Sequence, residues 1–341
     1  MPNSSCLAGN FTLPGWPKKI GGVEVCNPIW LAPLAGITYY SVRQFYKQLG
    51  AGLVHTEMVS ALGLCYKGRK TKELLYGEDE QSPAVLQLFG SNAADVGKGA
   101  ELALEIRRFD AVEINMACPM PKVTKKGSGS ALLKEPEKAA EIIASLKDTG
   151  LPVWAKIRRS AEDAETLNFC EKLLNAGADQ LFIHGRTQAQ RYEGRADREI
   201  VRSAAERFPK MISASGDCYA PEDFEEYLGM GCSSVLAARG VLKDLCLIPK
   251  TLARLGADID KKYSEPSAET QSELICMLCD AVYKREGESH ALVMAHRATG
   301  AVFRGLRGAA ELRRQVAFLR SWPEMKEVIL NWKETAGVSA D

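Results

Sequence analysis

The residue with the clearest chemical potential is Cys118, a cysteine at the end of an apolar run and followed directly by a proline. Pro119 cannot donate to a strand ladder, so the thiol is expected at the start of a loop. A thiol with an ordinary pKa of about 8.5 is largely protonated at neutral pH and can act as a general acid. Asn115 closes the same run. A cysteine at a strand end is more often a small buried hydrophobe, so its neighbours must decide the interpretation.

The segment after Cys118 is cationic and rich in small residues, reading PMPKVTKKGSGSALL up to residue 133. Its lysines, Lys122, Lys125 and Lys126, can favour a thiolate, contact phosphates, or simply be solvated. The residues by themselves leave these three interpretations open.

Other polar side chains also stand where apolar runs end. Each has a structural alternative: Lys156 can be a rim ion pair, His184 a hydrogen-bonded core histidine, and Gln87 an interior polar stabiliser. Their number nevertheless favours a shared site at one edge of a sheet. The full set is Gln87, Asn115, Cys118, Lys156, Arg158, His184, Arg186, Ser215, Gly216, Asp217, Arg239 and Gly240.

The elements that must position these side chains are short β-rich runs alternating with longer amphipathic stretches, which predicts parallel strands joined by helices. A doubly wound open sheet gives a similar alternation, but it does not load so many consecutive strand ends with ionisable groups. The fold class predicted is α/β, a TIM (β/α)8 barrel. The runs are residues 29–33, 53–56, 84–89, 111–117, 153–158, 179–185, 211–216 and 233–239, with helices at 41–49, 93–107, 136–147, 164–175, 197–207 and 220–227.

Beyond residue 255 the character of the chain changes. We predict a catalytic barrel over residues 1–255, a polar linker over 256–270, and a small C-terminal all-helical bundle over 271–341. Between residues 280 and 320 basic side chains outnumber acidic ones. That excess is either an ordinary solvated helix face or a surface for a polyanion.

Composition sets the outer limits. The 341 residues are 46% hydrophobic and 26% charged, with a net charge of +1, so a globular protein is expected and any nucleic acid must bind a local patch. No run of about 18 apolar residues occurs and residues 1–20 lack a secretory pattern, which predicts a cytoplasmic protein without a membrane span. The ten scattered cysteines are expected as free thiols, and the lone CxxC of Cys276 and Cys279 as no metal site.

Several short sequence blocks occur in the same order and at the same spacing as in a known family. With the Asn-x-x-Cys-Pro of residues 115–119, they resemble the tRNA-dihydrouridine synthase family from about residue 29 to 319. The helical tail is similar to that family's RNA-binding domain. The blocks are LAPLAGIT at 31–38, HTEMVSA at 55–61, SPAVLQLFGSN at 82–92, AKIR at 155–158, IHGRTQAQRYEGRAD at 183–197, SGD at 215–217, AARG at 237–240 and GLRGAAELRR at 305–314.

The resemblance implies an FMN across the barrel mouth, with its phosphate in the loops after the last two strands. It implies that Lys156 lies near the N1 and O2 edge of the ring and that His184 contacts flavin or uracil. The ring would border Pro33, Leu34, Ala35 and Gln87, and the phosphate would meet Ser215, Gly216, Asp217, Ala238 and Arg239.

The resemblance also implies the reaction, the reduction of uridines in tRNA to 5,6-dihydrouridine. Hydride passes from reduced FMN to C6 of the uracil, Cys118 gives a proton to C5, and NADPH reduces the flavin again. Asn115 and Arg186 are candidates for holding the uracil, and Lys122 for contacting the RNA. A monomer without an obligate protein partner is expected.

Four residues depart from the family pattern: Ile183 stands for Thr, Ser215 for Asn, Arg198 for Trp and Ala238 for Gly. Serine is shorter than asparagine, which puts the contact of Ser215 with FMN in question. Three other functions stay open. They are an FMN enzyme acting on free pyrimidines and similar to dihydroorotate dehydrogenases, a dihydrouridine synthase acting on ribosomal RNA, and a noncatalytic RNA-binding protein on the same scaffold.

Overall fold

The eight predicted apolar runs all form strands. The computed structural model describes residues 9–13, 15–75, 77, 80 and 82–336. The strands are β1 (Ile29–Leu31), β2 (Val54–His55), β3 (Ala84–Phe89), β4 (Ala111–Met116), β5 (Val153–Arg158), β6 (Gln180–His184), β7 (Ile212–Ser215) and β8 (Val235–Ala237).

These strands are parallel and close on themselves. Each pairs with the next in chain order, and β8 returns to β1 with Val235 opposite Ile29 and Ala237 opposite Leu31. The prediction of a TIM barrel is therefore confirmed, and the open doubly wound sheet is excluded. Five two-residue strands accompany the barrel: Gly9–Asn10, Lys19–Ile20, Val23–Glu24, Val59–Ser60 and Asp258–Ile259.

Helices cover the outside of the barrel and continue beyond it. Their buried faces pack on strands that are themselves buried on both sides, as parallel sheets require. The helices are α1 (Tyr40–Gln48), α2 (Ala61–Cys65), α3 (Arg69–Glu73), α4 (Ala93–Ile106), α5 (Pro121–Thr124), α6 (Pro136–Leu146), α7 (Asp163–Asn175), α8 (Glu199–Arg207), α9 (Pro221–Gly229), α10 (Leu247–Arg254), α11 (Lys261–Ser264), α12 (Ala268–Glu286), α13 (Glu288–Val302), α14 (Ala309–Phe318) and α15 (Trp322–Ala336).

The interior of the barrel is layered. At the floor Trp30 and Trp154 stack with ring centroids 5.6 Å apart, and Phe182 packs against both. Side chains on one face of a strand recur every second residue, so Lys156 and His184 lie one layer above Trp154 and Phe182. The apolar floor thus places a polar layer directly beneath the C-terminal mouth.

Helices α12–α15 form a bundle that packs against the barrel through α1. The side chain of Glu286 accepts hydrogen bonds from the backbone and hydroxyl of Ser41, at 3.1 and 2.6 Å. Arg297 donates to the carbonyl of Gly36 at 3.1 Å, on the loop after β1. The bundle therefore lies beside the mouth at the seam where the barrel closes.

The segment predicted as a linker is more ordered than its polar composition indicates. It holds the short strand Asp258–Ile259, which pairs with Gly9–Asn10, and helix α11, and α12 begins at Ala268. The outer ends of the two predicted domains, residues 1–8 and 337–341, lie outside the described residues, as does Cys6. The other nine cysteines are free, with Cys276 and Cys279 buried in α12. Among the described residues, no helix is long and apolar enough to cross a membrane.

Candidate active site

A cavity of about 640 Å³ opens at the C-terminal ends of the strands. Most of the residues predicted for the site line it, although they come from six different strands and the segments that follow them. Those lining residues are Pro33, Leu34, Ala35, Asn115, Cys118, Lys122, Lys156, His184, Ser215, Gly216, Asp217, Ala238 and Arg239. Gln87 and Arg186 do not line it, because both are buried behind its wall.

Cys118 is half-buried, and its loop is fixed from both sides. The side-chain oxygen of Asn115 accepts hydrogen bonds from the backbone N–H groups of Ala117 and Cys118, at 3.1 and 2.8 Å. The carbonyl of Cys118 accepts from the backbone and hydroxyl of Ser130, each at 3.0 Å. Gly129 packs so closely that an added Cβ would lie 2.7 Å from the same carbonyl oxygen. The thiol is thus held at the cavity wall on a folded-back loop.

Lys156 reaches the cavity from the middle of the polar layer and is only 9% exposed. Burial lowers its pKa to about 8, against the attraction of Glu113, which raises it. Burial likewise raises the pKa of Glu113 to about 7. The ammonium of Lys156 is therefore largely retained at neutral pH, and it places a desolvated positive charge at the cavity floor.

His184 is neutral at neutral pH. Burial lowers its pKa well below the ordinary range, and the positive charges of Lys156, Arg158, Arg186 and Arg239 lower it further. A guanidinium N–H of Arg186 points at its Nε2 from 3.5 Å, which favours the proton on Nδ1. The imidazole can therefore form hydrogen bonds without adding charge to the cavity.

The loops after β7 and β8 meet at one end of the cavity. Gly216 and Asp217 adopt positive φ angles of 125° and 51°. An added Cβ on Gly240 would lie 2.2 Å from the carbonyl oxygen of Cys218, so the two loops touch backbone to backbone. Arg239 lies over the rings of Tyr192 and Tyr219, at 4.8 and 5.8 Å from their centroids.

All the hydrogen-bond donors of the Arg186 guanidinium group already have partners within the protein. Its five N–H groups meet both oxygens of Asp217 at 2.7 Å, the carbonyls of Glu193 and Gly194, and the ring of His184. A guanidinium has only five such donors. The structure therefore favours a role in orienting Asp217 over the predicted contact with substrate.

Asp217 is held ionised by these neighbours. Burial raises its pKa, but the hydrogen bonds from Arg186 and from the backbone of Ala196, with the charge of Arg239, outweigh burial and lower it. The cavity is then lined by four cationic side chains, Lys122, Lys156, Arg158 and Arg239, against this one carboxylate. The excess of positive charge suits an anionic ligand.

The sequence interpretation did not assign a site role to several residues that the structure brings to the cavity. Arg158 joins the loop after β4 to the loop after β6 by donating to the carbonyls of Ala117, Thr187 and Arg191, at 2.7, 3.1 and 2.7 Å. It was counted among the polar side chains at strand ends, but no role was predicted for it. Tyr192 and Tyr219 lie in the connections after β6 and β7, where the sequence has no periodic pattern that could place a side chain. Met58, Phe89 and Met120 supply apolar contacts whose types do not distinguish them from core residues.

Comparisons with known proteins agree on one family. The sequence model described as Dihydrouridine synthase (Dus) matches residues 30–334. A probable tRNA-dihydrouridine synthase of Rickettsia conorii is 30% identical over 318 residues, which span 91% of this chain and 95% of that protein. The tRNA-dihydrouridine synthase B of Pseudomonas aeruginosa is 30% identical over 307 residues, spanning 87% and 90%.

Among solved structures, the DHODH from Eimeria tenella in complex with ferulenol is similar with a TM-score of 0.52. It is 14% identical and covers 73% of this chain and 83% of its own. This likeness concerns the barrel fold.

Proposed function

Since the chain belongs to the dihydrouridine synthase family, a family of oxidoreductases, we propose that it reduces specific uridines of tRNA to 5,6-dihydrouridine, with FMN as cofactor, NADPH as reductant and Cys118 as proton donor. The observation that carries the proposal is the half-buried Cys118 on a fixed loop at a cation-lined cavity. Cys218 also lines the cavity, but it is almost fully buried and its thiol donates to the carbonyl of Gly216 at 3.5 Å, so Cys118 is the more accessible of the two thiols.

The cavity residues fit a flavin mononucleotide. Pro33, Leu34 and Ala35 give the cavity an apolar stretch of lining, and Lys156 lines the same cavity at its floor. At the other end the loops bearing Gly216 and Arg239 form a tight cradle in which a larger residue at 216 would meet His184 at 3.3 Å. When bound, FMN would supply the hydride chemistry that side chains cannot perform. Arg239 would hold its phosphate by charge-assisted hydrogen bonds.

Cys118 would protonate C5 of the uracil. Negative charge develops on C5 and O4 when C6 gains a hydride, so a general acid must meet C5 directly. The loop contacts of Asn115 and Ser130 keep the thiol at the cavity wall, and it forms no disulfide with another described cysteine.

Lys156 would stabilise negative charge at the ring edge it faces. An ammonium in a desolvated site acts more strongly than one in water, because few solvent dipoles screen it. Neutral His184 would contact flavin or uracil without competing for the proton. Asn115 keeps one N–H for the uracil, because its oxygen is already taken by two backbone donors and its other N–H by Gln87.

The RNA would bind across the barrel mouth and the helical bundle. Lys122 is exposed on the short helix α5 that follows Cys118, and it lines the cavity. In the bundle, Arg304, Arg307, Arg313 and Arg314 are exposed around the α13–α14 connection. Phosphate contacts of this kind position a nucleic acid without reading its sequence.

The test is mass spectrometry of tRNA after incubation with the flavin-loaded protein and NADPH. We expect a gain of two hydrogens on particular uridines, which Cys118→Ala reduces by at least about 100-fold, the lower range for a general acid. Cys65→Ala is the matched control, since Cys65 is also half-buried but lies on α2 away from the cavity. Turnover of a free pyrimidine or of ribosomal RNA, with no gain on tRNA, would reject the proposed substrate. A protein that binds no FMN would reject the reaction.

A further inference from the structure

A continuous set of buried polar side chains runs beneath the cavity floor to the loop of Cys118. Glu113 and Gln87 are fully buried and face each other on adjacent strands, where the amide nitrogen of Gln87 donates to Oε1 of Glu113. The oxygen of Gln87 accepts from the amide nitrogen of Asn115 at 3.1 Å. Asn115 in turn holds the backbone of Cys118 at 2.8 Å.

The direction of every hydrogen bond in this set is forced. The N–H groups of Ala117 and Cys118 can only donate, so the oxygen of Asn115 must face the loop and its NH2 must face Gln87. The oxygen of Gln87 then faces Asn115, and its NH2 faces Glu113. The position of residue 113 must consequently present an acceptor, and a donor there would reverse both amides and leave the loop unheld.

The second carboxyl oxygen of Glu113, Oε2, lies near His55 rather than Gln87. His55 donates from Nδ1 to the carbonyl of Leu31 at 2.9 Å, which leaves Nε2 as an acceptor when the ring is neutral. Burial lowers the pKa of His55 to about 4, so the neutral ring prevails. Nε2 lies 3.7 Å from Oε2 of Glu113, longer than a hydrogen bond, and neither atom has another partner among the described residues. A protonated Oε2 would therefore point at an acceptor.

We propose that Glu113 is a positioning residue for the reaction: it fixes the amide orientations of Gln87 and Asn115 and through them holds Cys118 against the cavity. The inference deepens the proposed function, since it concerns the residue assigned as proton donor. Glu113 touches neither the cavity nor Cys118, so it reaches the thiol only through the two amides. Its charge also raises the pKa of Lys156, and Glu113→Gln removes that charge while keeping an acceptor for Gln87.

A second buried polar set in the same barrel supplies the control. Gln180 donates to the hydroxyl of Ser213 at 2.8 Å, and Ser213 bonds Ser234 at 2.7 Å. All three are fully buried, as Glu113 is, but none lines the cavity or contacts the Cys118 loop. Replacing Gln180 thus disturbs the barrel interior without interrupting the hydrogen-bonded series Glu113–Gln87–Asn115–Cys118, which we call the relay.

The experiment measures how fast iodoacetamide alkylates Cys118 in the purified protein without RNA or NADPH, with peptide mass spectrometry to separate it from Cys65. In Glu113→Leu we expect about fivefold faster alkylation, the factor that corresponds to ~1 kcal/mol for one lost hydrogen bond. Glu113→Gln should stay within about twofold of the original rate. Its oxygen can accept from Gln87 while its NH2 faces Nε2 of His55.

Gln180→Leu should leave the alkylation rate of Cys118 unchanged while lowering the melting temperature, because its lost hydrogen bond lies outside the relay. Equal alkylation rates in Glu113→Leu and Gln180→Leu would overturn the proposal, as would a Gln variant that behaves like the Leu variant. If Glu113→Leu does not fold, Gln87→Met interrupts the same relay one step nearer the loop, and the same criterion applies.

A second readout connects the relay to turnover. A displaced proton donor should lower kcat for dihydrouridine formation in Glu113→Leu and leave KM for tRNA unchanged, because no RNA-binding group is altered. If Glu113→Leu shows the faster alkylation but the original protein forms no dihydrouridine, the proposed function is rejected and the relay stands. Equal losses of kcat in Glu113→Leu and Gln180→Leu would instead mark a general structural effect and overturn the relay.

Discussion

Replacing Gly240 with alanine should damage the proposed phosphate cradle more than the rest of the molecule. The new Cβ would lie 2.2 Å from the carbonyl oxygen of Cys218 and 2.5 Å from a methyl group of Leu247. An ordinary contact needs about 1 Å more, and one of the close atoms is backbone, so the loops after β7 and β8 must separate. Overpacking of this kind costs typically about 1–3 kcal/mol, and contact with backbone favours the upper end.

The magnitude follows if flavin binding requires the loops to close. A cost of about 3 kcal/mol in the bound state would weaken the affinity for FMN by roughly 100-fold. Titration of FMN fluorescence against Gly240→Ala measures this directly, and thermal unfolding without FMN shows whether the free protein still folds. A lower melting temperature alone does not account for an affinity change in a protein that remains folded at the titration temperature.

The matched control is Gly229→Ala, at the end of the neighbouring helix α9. Nothing lies within 4 Å of an added Cβ there, and the residue is helical and exposed. We expect the same FMN affinity and a gain in stability of about 0.5–1 kcal/mol, as for glycine to alanine in a helix. If Gly240→Ala binds FMN as tightly as Gly229→Ala, the phosphate does not bind between these loops.

Three further outcomes follow from the charges. Asp217→Asn should cost about 3 kcal/mol at pH 7, because Arg186 is left buried without its counter-ion; since the pKa of Asp217 is lowered by folding, the contribution is present above about pH 4 and is lost as the pH falls, so urea unfolding should show the two proteins converging in acid. For Glu113, folding raises the pKa to about 7, so the original protein should lose stability as the pH rises from about 5 to 7 while Glu113→Gln does not; parallel pH profiles would contradict the buried carboxyl. Glu80→Gln should destabilise the barrel by about 3–5 kcal/mol, because Glu80 neutralises the buried Arg43 and also pairs with Arg107; a change below about 1 kcal/mol in urea unfolding would show that the pair is solvated.

Much of the barrel and of the cavity could be predicted from the sequence, because strand periodicity and strand ends are local properties. Trp154, Lys156 and Arg158 alternate with apolar residues, which places all three on one face of β5 and orders them from floor to mouth. Cys118 and Asn115 were predicted at a strand end by the proline that follows.

What the sequence did not show depends on contacts between distant residues. The position of Arg186 at a strand end predicts a contact with the substrate. That its N–H donors are instead taken by Asp217 and two carbonyls becomes visible only when the loops are assembled. Gln87 was predicted to border the flavin, whereas the structure uses its amide between Glu113 and Asn115. Glu113 shares a strand face with Asn115, but the sequence does not show that it meets Gln87 and His55, which lie on other strands.

The seam between β1 and β8 bears on how the chain reaches its fold. Ile29 pairs with Val235, so the closing ladder joins residues about 200 positions apart. Bringing such distant segments together is entropically costly, and folds dominated by distant pairings form slowly. During synthesis β1 must wait, with one edge unpaired, until the last strand has left the ribosome. The helical bundle that packs on α1 is synthesised later still, so its docking can stabilise the barrel once it has closed. This shortens the time for which unpaired strand edges are exposed to other chains.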